Sequence, residues 1–151
     1  MGRAVRLVVG NCNPRGGESV PGIFRGMAKS LKDFVDEALA TVPEVGPADL
    51  PRLKAEGWTV LDVREPDEFA EGRIPGAINV PRGFLEVKAD LDHPKRDPAL
   101  ADRSRKFVCT CGGGHRSALA AKTLGEMGFA DVVSLRGGWR AYTEGGGEVE
   151  K

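Results

Sequence analysis

The sequence predicts an α/β fold in which helices cover both faces of a parallel sheet. Short apolar runs alternate with helical segments from residue 57 onward, which is the pattern of strand-helix-strand units. The 151 residues are enough for one ordinary domain, and 40% hydrophobic with 29% charged residues is typical of a chain that closes a core. We therefore expect one folded unit whose ligand site lies at the carboxyl ends of its strands.

The first part of the chain differs from the rest. Residues 1–26 show no helical or alternating period beyond a short apolar run, and we interpret them as a flexible extension. A helical segment follows within 27–44, and its apolar stripe consists of Leu31, Phe34, Val35, Ala38 and Leu39. Because this pattern begins just after Met27, we also hypothesise that Met27 is the true translation start.

The main domain is predicted at residues 45–147, followed by a tail at 148–151. Strands and helices alternate along this domain. A helix at 48–56 ends at Gly57. The predicted strands, each a short apolar or β-branched run, are 58–63, 77–80, 107–109 and 132–135. The predicted helices between them are 67–71, 84–89 and 116–127. We expect the glycine run at 145–147 to be frayed.

Charge and cysteine content exclude several classes of protein. Lysine plus arginine and aspartate plus glutamate both total 22, which argues against binding to nucleic acid or an anionic membrane by bulk charge. No stretch approaches the ~20 apolar residues needed to cross a bilayer. The three cysteines, Cys12, Cys109 and Cys111, cannot all pair, so we expect a protein of the reducing cytoplasm.

The segment CTCGGGHRS at 109–117 carries the clearest chemical signal. Consecutive glycines between a strand and a helix can turn their amides toward one point, to which the helix also directs its positive end. Cys111 stands at the mouth of this loop, so we expect a stabilised thiolate that is nucleophilic near neutral pH. The loop residues assigned to anion binding are Gly112, Gly113, Gly114, His115, Arg116 and Ser117.

Other roles for these residues remain open from the sequence. Cys111 alone could be an inert, buried cysteine, although three glycines and an arginine beside it are hard to explain by packing. Cys109, Cys111 and His115 form a C-x-C-x₃-H cluster, but no fourth metal ligand lies nearby in the sequence, so we expect no metal. His115 either donates a hydrogen bond to a bound anion or is simply exposed.

Four spaced motifs resemble the rhodanese-like sulfurtransferase domain over roughly residues 45–147. They are LDVREPDEF at 61–69, GRIPGAINVP at 72–81, the Cys111 loop ending in Arg116 and Ser117, and LRGGW at 135–139. The resemblance implies a central parallel sheet of about five strands flanked by helices on both faces. It also implies that Cys111 takes a sulfane sulfur from a donor such as thiosulfate, holds it as a persulfide and passes it to cyanide, a small thiol or a protein thiol. No cofactor is implied.

The resemblance gives the neighbouring residues supporting roles. Arg116 would close the loop and face the donor, and Asp62 would order the loop by accepting hydrogen bonds. We favour Arg64 as an ion-pair partner of Asp62 or Glu65 over Arg64 as a substrate ligand. The acidic run that includes Glu65 and Glu68 is most simply a solvated helix start.

Two rival functions belong to other classes. Cysteine phosphatases use a C-x₅-R loop, whereas Cys111 to Arg116 is C-x₄-R, a smaller ring that suits one sulfur better than a phosphoryl group. A non-catalytic binding module would lack the cysteine. The chain departs from the usual family pattern at Thr110, before the cysteine, and at Arg73, where histidine is common. For Cys109 we favour core packing over a role as a resolving thiol.

For the remaining apolar side chains we expect packing roles. The residues assigned to the core are Ile74, Ala77, Ile78, Leu119, Leu124 and Met127. Trp58 and Trp139 are expected to pack at the edges of the sheet, and Phe69 and Phe84 to lie in the core or at the mouth of the pocket.

Overall fold

The computed structural model describes Gly22, Gly26 and residues 28–151. The predicted extension at 1–26, apart from those two glycines, lies outside the described residues, as do Cys12 and Met27.

The fold is an α/β domain built on a five-stranded parallel sheet, as predicted. The strands, in chain order, are β1 (Glu44–Val45), β2 (Thr59–Asp62), β3 (Ile78–Asn79), β4 (Phe107–Thr110) and β5 (Val132–Leu135). Their order across the sheet is β1-β5-β4-β2-β3, and every neighbouring pair is parallel. All five carboxyl ends therefore lie along one edge of the sheet.

In the part of the chain that the structure describes, six α-helices connect and cover the strands. They are α1 (Leu31–Leu39), α2 (Leu50–Ala55), α3 (Pro66–Glu71), α4 (Leu85–Ala89), α5 (His115–Glu126) and α6 (Gly138–Glu144). The helices predicted at 67–71, 84–89 and 116–127 correspond closely to α3, α4 and α5. Neither β1 nor α6 was predicted, because β1 has only two residues and α6 begins at a pair of glycines that resembles a turn.

The core lies on both faces of the sheet because side chains of a strand alternate between the faces. Leu61, Phe107 and Cys109 belong to one buried cluster. Val60 and Val108, one position away, belong to the other. This alternation explains why the strand segments are apolar throughout rather than at every second residue.

The predicted core is correct in part. Ile74 and Leu124 are fully buried. The other assigned residues are only partly buried and pack at the margins of the clusters, namely Ala77, Ile78, Leu119 and Met127. Trp58 and Trp139 are partly buried and pack against the second cluster, Trp58 at the amino end of β2. Phe69 is half-buried, and Phe84 is 57% exposed rather than in the core.

Helix α1 lies against α5. Ser30 and Asp33 form a capping box that begins the helix, and Val35 and Ala38 are buried against Ala118. Leu31 and Phe34 belong to the same apolar stripe, which from the sequence could either cover one end of the sheet or dock a partner, and they are 55% and 49% exposed. They lie in the first turn of α1, where α5 offers little surface because it begins only at His115.

The end of the chain is held to the domain, where we expected a frayed glycine run. The Tyr142 hydroxyl donates a 2.7 Å hydrogen bond to the carbonyl of Glu148. Arg73 and Glu150 exchange two backbone hydrogen bonds of 2.9 Å and form an ion pair of 3.4 Å. These contacts fix the tail beside the loop that follows α3.

Candidate active site

The Cys111 loop, residues 111–116, leaves the carboxyl end of β4 and enters α5. Strand β4 is paired with β2, so that Thr110 lies opposite Asp62 in the register. Gly114 has a φ of +102°, which a residue with a side chain rarely adopts, and it leads directly into the helix. The position of Cys111 at the strand-helix junction thus follows from the glycines after it.

The sulfur of Cys111 lies inside this loop. Its Sγ accepts a 3.0 Å hydrogen bond from the amide of Gly114 and lies 3.5 Å from the Ser117 hydroxyl. The residue is only 1% exposed. Ser117 is itself held by the carbonyl of Gly114 at 3.1 Å and by Ser134 at 2.9 Å. A negative charge on this sulfur would be met by the Gly114 amide and the amino end of α5.

Helix α6 holds the loop from behind. The amide of Trp139 donates to the carbonyl of Cys111 at 2.7 Å, and that of Arg140 donates to the carbonyl of Gly112 at 3.1 Å. A Cβ on Gly138 would lie 2.4 Å from the Cys111 carbonyl oxygen, so this contact needs glycine. Sequence reasoning placed this glycine at a turn and missed its contact with the loop; its signal is the LRGGW motif.

Arg116 is paired with Glu68, a contact that the sequence did not reveal. Its Nη1 and Nη2 donate to the two carboxylate oxygens of Glu68 at 2.8 Å and 3.3 Å. The hydrogen bonds from Arg116 lower the pKa of Glu68, and the same pairing raises the pKa of Arg116. The acidic run of Glu65, Asp67 and Glu68 does begin α3, as expected, but the sequence missed the pairing of Glu68 with Arg116. The guanidinium that we expected to face a donor is bound to this carboxylate.

Arg64 and Asp62 form a buried ion pair beside the loop. Arg64 Nη2 lies 2.7 Å from Asp62 Oδ2, and Arg64 Nε donates to both carboxylate oxygens at 3.1 Å. Arg64 also donates to the carbonyl of Gly72 at 2.8 Å and stacks over the Trp139 ring at 4.7 Å. These contacts occupy the guanidinium, and they match the structural role favoured from the sequence over a substrate ligand.

Comparison with known proteins identifies the family at this point. The model of the Rhodanese-like domain family matches residues 47–144. The chain belongs to the rhodanese-like domain family. The matched residues include both arginine pairs, the Cys111 loop and α6, whereas α1 lies before them.

Several relatives of this rhodanese-like chain are named for different roles. The senescence-associated protein DIN1 of Raphanus sativus is 34% identical over 132 residues, 85% of this chain and 72% of that protein. The thiosulfate sulfurtransferase GlpE of Stutzerimonas stutzeri is 32% identical over 101 residues, 65% of this chain and 82% of that protein. The name of the second relative supports a sulfurtransferase family.

A solved structure is similar over most of the rhodanese-like chain. It is a Rhodopseudomonas palustris protein of unknown function described as a possible tyrosine phosphatase. It is 33% identical, has a TM-score of 0.75, and the match covers 89% of this chain and 99% of that one. The likeness supports the fold, and its description keeps the phosphatase among the functions to be tested.

The other polar and thiol groups of the rhodanese-like domain do not converge on Cys111. Cys109 is fully buried in the core, and burial is the main cause that raises the pKa of its thiol. His115 is exposed in a cleft beside α1. Within residues 28–151, no three His, Cys, Asp or Glu side chains group as a metal site, and no helix is long and apolar enough to span a membrane.

Proposed function

We propose that this rhodanese-like protein is a sulfurtransferase that carries a sulfane sulfur as a persulfide on Cys111. The observation that supports this most strongly is the Cys111 sulfur inside a loop, with the Gly114 amide 3.0 Å away and the amino end of α5 behind it. Such a setting stabilises a thiolate before the reaction and a persulfide anion after it.

The proposed reaction has two steps. The Cys111 thiolate attacks the outer sulfur of thiosulfate, a sulfur–sulfur bond forms, and the bond to the sulfonate sulfur breaks so that its electron pair leaves with sulfite. An acceptor such as cyanide then attacks the terminal sulfur of the persulfide. The sulfur–sulfur bond breaks, the terminal sulfur leaves as thiocyanate, and Cys111 returns to the thiolate. Neither step needs a metal or an organic cofactor. The terminal sulfur stays within reach of the loop amides in both steps.

The acceptor and the setting of the reaction are part of the proposal. A small thiol or a protein thiol replaces cyanide by the same attack on the terminal sulfur. The described cysteines, Cys109 and Cys111, are both free thiols. This supports function in a reducing compartment, which we propose to be the cytoplasm.

A second candidate is a cysteine phosphatase, favoured by the solved structure described as a possible tyrosine phosphatase. That enzyme class would use the same thiolate to attack phosphorus rather than sulfur. The loop from Cys111 to Arg116 has four intervening residues, one fewer than the phosphatase pattern, and encloses less space for three phosphoryl oxygens.

Steady-state assays separate these functions. With thiosulfate and cyanide, we expect thiocyanate formation that is abolished in Cys111→Ser and kept in Cys109→Ala, which removes the other described thiol. With an aryl phosphate we expect no hydrolysis. Hydrolysis that depends on Cys111, without thiocyanate formation, would replace the sulfurtransferase by the phosphatase, and the absence of both activities would favour a binding module.

A further inference from the structure

The positive charge at the mouth of the Cys111 loop is neutralised by a carboxylate of the protein itself. Arg116 is the cation of the Cys111 loop, and both of its terminal nitrogens donate to Glu68. Arg64, the next cation, is neutralised by Asp62. Glu65 and Asp67 add two exposed carboxylates at the start of α3. A doubly charged anion that approaches Arg116 therefore meets the carboxylates at the start of α3, of which Glu68 is in direct contact with the guanidinium.

The carboxylate of Glu68 is held in this position by its own helix. Its Oε1 accepts a 3.1 Å hydrogen bond from the amide of Glu65, which completes the capping box of α3. Glu68 is thus fixed toward Arg116 from one side while the pair remains open to solvent, with side chains 39% and 38% exposed. A donor can reach the guanidinium, but it must do so beside a fixed negative charge.

We propose that Glu68 sets the charge preference of the sulfur donor, so that the site favours singly charged sulfane donors, such as organic thiosulfonates and persulfides, over dianionic thiosulfate. This rests on the proposed sulfurtransferase function and names the donor class for the same site. Glu68 acts through Arg116 and through its field at the loop mouth, and is a specificity-determining residue rather than a catalytic one.

The expected size of the effect follows from Coulomb's law. Two unit charges about 6 Å apart, at an effective dielectric constant of about 60, repel by an amount equal to about a fivefold change in an equilibrium constant. Removing the Glu68 charge should then strengthen binding of the donor about fivefold for a monoanion and about twentyfold for a dianion. The ratio of the affinities for the two donors therefore changes by about fivefold between the wild type and the variant. Differences in donor size affect both proteins equally and drop out of this comparison.

The test compares Glu68→Gln with the wild type, using thiosulfate and benzenethiosulfonate as donors. In both reactions the Cys111 thiolate takes the outer sulfur, and sulfite or benzenesulfinate leaves with the bond pair. We expect kcat/KM for thiosulfate to rise about fivefold more than that for benzenethiosulfonate, mainly through KM. Glu71→Gln, an exposed carboxylate of the same helix that does not bind Arg116, is the matched control and leaves the ratio unchanged.

Two further variants separate this role from a structural one. In Arg116→Gln, we expect adding Glu68→Gln to raise thiosulfate activity less than it does beside an intact arginine, because no cation is freed. In Cys111→Ser, which cannot react, calorimetry measures binding of thiosulfate directly, and Glu68→Gln tightens it about twentyfold.

The outcomes distinguish failure of this inference from failure of the proposed function. If the wild type forms a persulfide with either donor but Glu68→Gln changes both donors equally or leaves them unchanged, the inference is overturned and the sulfurtransferase stands. If neither donor transfers sulfur to the wild type, the proposed function fails and the inference fails with it.

Discussion

Two arginines at the carboxyl edge of the sheet carry the same charge in different settings. Arg64 follows β2 and pairs with Asp62, and their side chains are 4% and 0% exposed. Arg116 lies in the first turn of α5 and pairs with Glu68, and their side chains are 38% and 39% exposed. The first arginine is enclosed by protein acceptors, whereas the second can exchange its partner for a ligand. Burial, rather than residue type, separates the structural cation Arg64 from Arg116, which we propose faces the sulfur donor.

Buried and exposed ion pairs also differ in what they contribute to folding. Removing one member of a buried pair leaves the other charge without a partner in a low dielectric, which costs ~3–5 kcal/mol. An exposed pair is screened by water and contributes ~0–1 kcal/mol. Substitution of Arg64 should therefore lower the free energy of unfolding much more than the same substitution of Arg116.

The largest effect is expected at Arg64. Arg64→Met removes the guanidinium that neutralises the buried Asp62 carboxylate and donates to the Gly72 carbonyl, so we expect the free energy of unfolding to fall by ~3–5 kcal/mol. Urea denaturation monitored by circular dichroism measures it. Equal stability of Arg64→Met and Arg116→Met would contradict the distinction between the two pairs.

A smaller loss is expected where α6 meets the Cys111 loop. In Gly138→Ala the new Cβ meets the Cys111 carbonyl oxygen at 2.4 Å, at a φ of +57°. We expect a loss of about 2 kcal/mol from strain and close contact, together with a fall in thiocyanate formation as the loop shifts. Gly83→Ala is the control because its Cβ has open space around it. Wild-type stability and activity in Gly138→Ala would show that α6 does not hold the loop.

Substitution of Arg116 is expected to affect the substrate more than the fold. Because its pair with Glu68 is exposed, Arg116→Met lowers the free energy of unfolding by at most about 1 kcal/mol. The same change removes the cation at the loop mouth and leaves Glu68 uncompensated, so we expect KM for thiosulfate to rise about tenfold. Denaturation and steady-state kinetics on one preparation measure both quantities. A stability loss like that of Arg64→Met, with KM unchanged, would reverse the assignment.

The smallest effect is expected from acid. Hydrogen bonds from Arg116 lower the pKa of Glu68 in the folded protein, so ionised Glu68 stabilises the fold above its ordinary pKa of 4.5. That contribution is lost as the pH falls from this value through the lower folded value. We expect the stability difference between wild type and Glu68→Gln to shrink over this range in urea denaturation series. A difference that grows toward acid pH would contradict the sign.

The elements that depend on a pattern of neighbouring residues could be predicted from the sequence. Strand β5, helix α5 and the Cys111 loop follow from apolar runs and glycines that are adjacent in the chain. The pair of Arg116 with Glu68 joins residues 48 positions apart, and nothing local in either segment indicates the other. The contact of Gly138 with the Cys111 carbonyl likewise depends on how β5 aligns beside β4. Contacts of this kind, between residues far apart in the sequence, come from tertiary packing and cannot be predicted from the periodicity of a single segment.

The same limit applies at both ends of the domain. The apolar stripe predicts an amphipathic α1, but it does not show that Val35 and Ala38 pack against α5 while Leu31 and Phe34 stay exposed. The glycine run after α6 indicates a turn, but it does not show that Glu150 pairs with Arg73. Both results depend on a partner surface that the segment itself does not encode.

The most direct test of the central claim is the intact mass of the protein after treatment with a sulfane donor. The claim is that the loop around Cys111 holds a transferable sulfur, by the Gly114 amide and the amino end of α5. We predict that the reduced wild type gains the mass of one sulfur atom with thiosulfate or benzenethiosulfonate and loses it on addition of cyanide, and that Cys111→Ser gains none. An unchanged wild-type mass with both donors, or a gain that persists in Cys111→Ser, would contradict it.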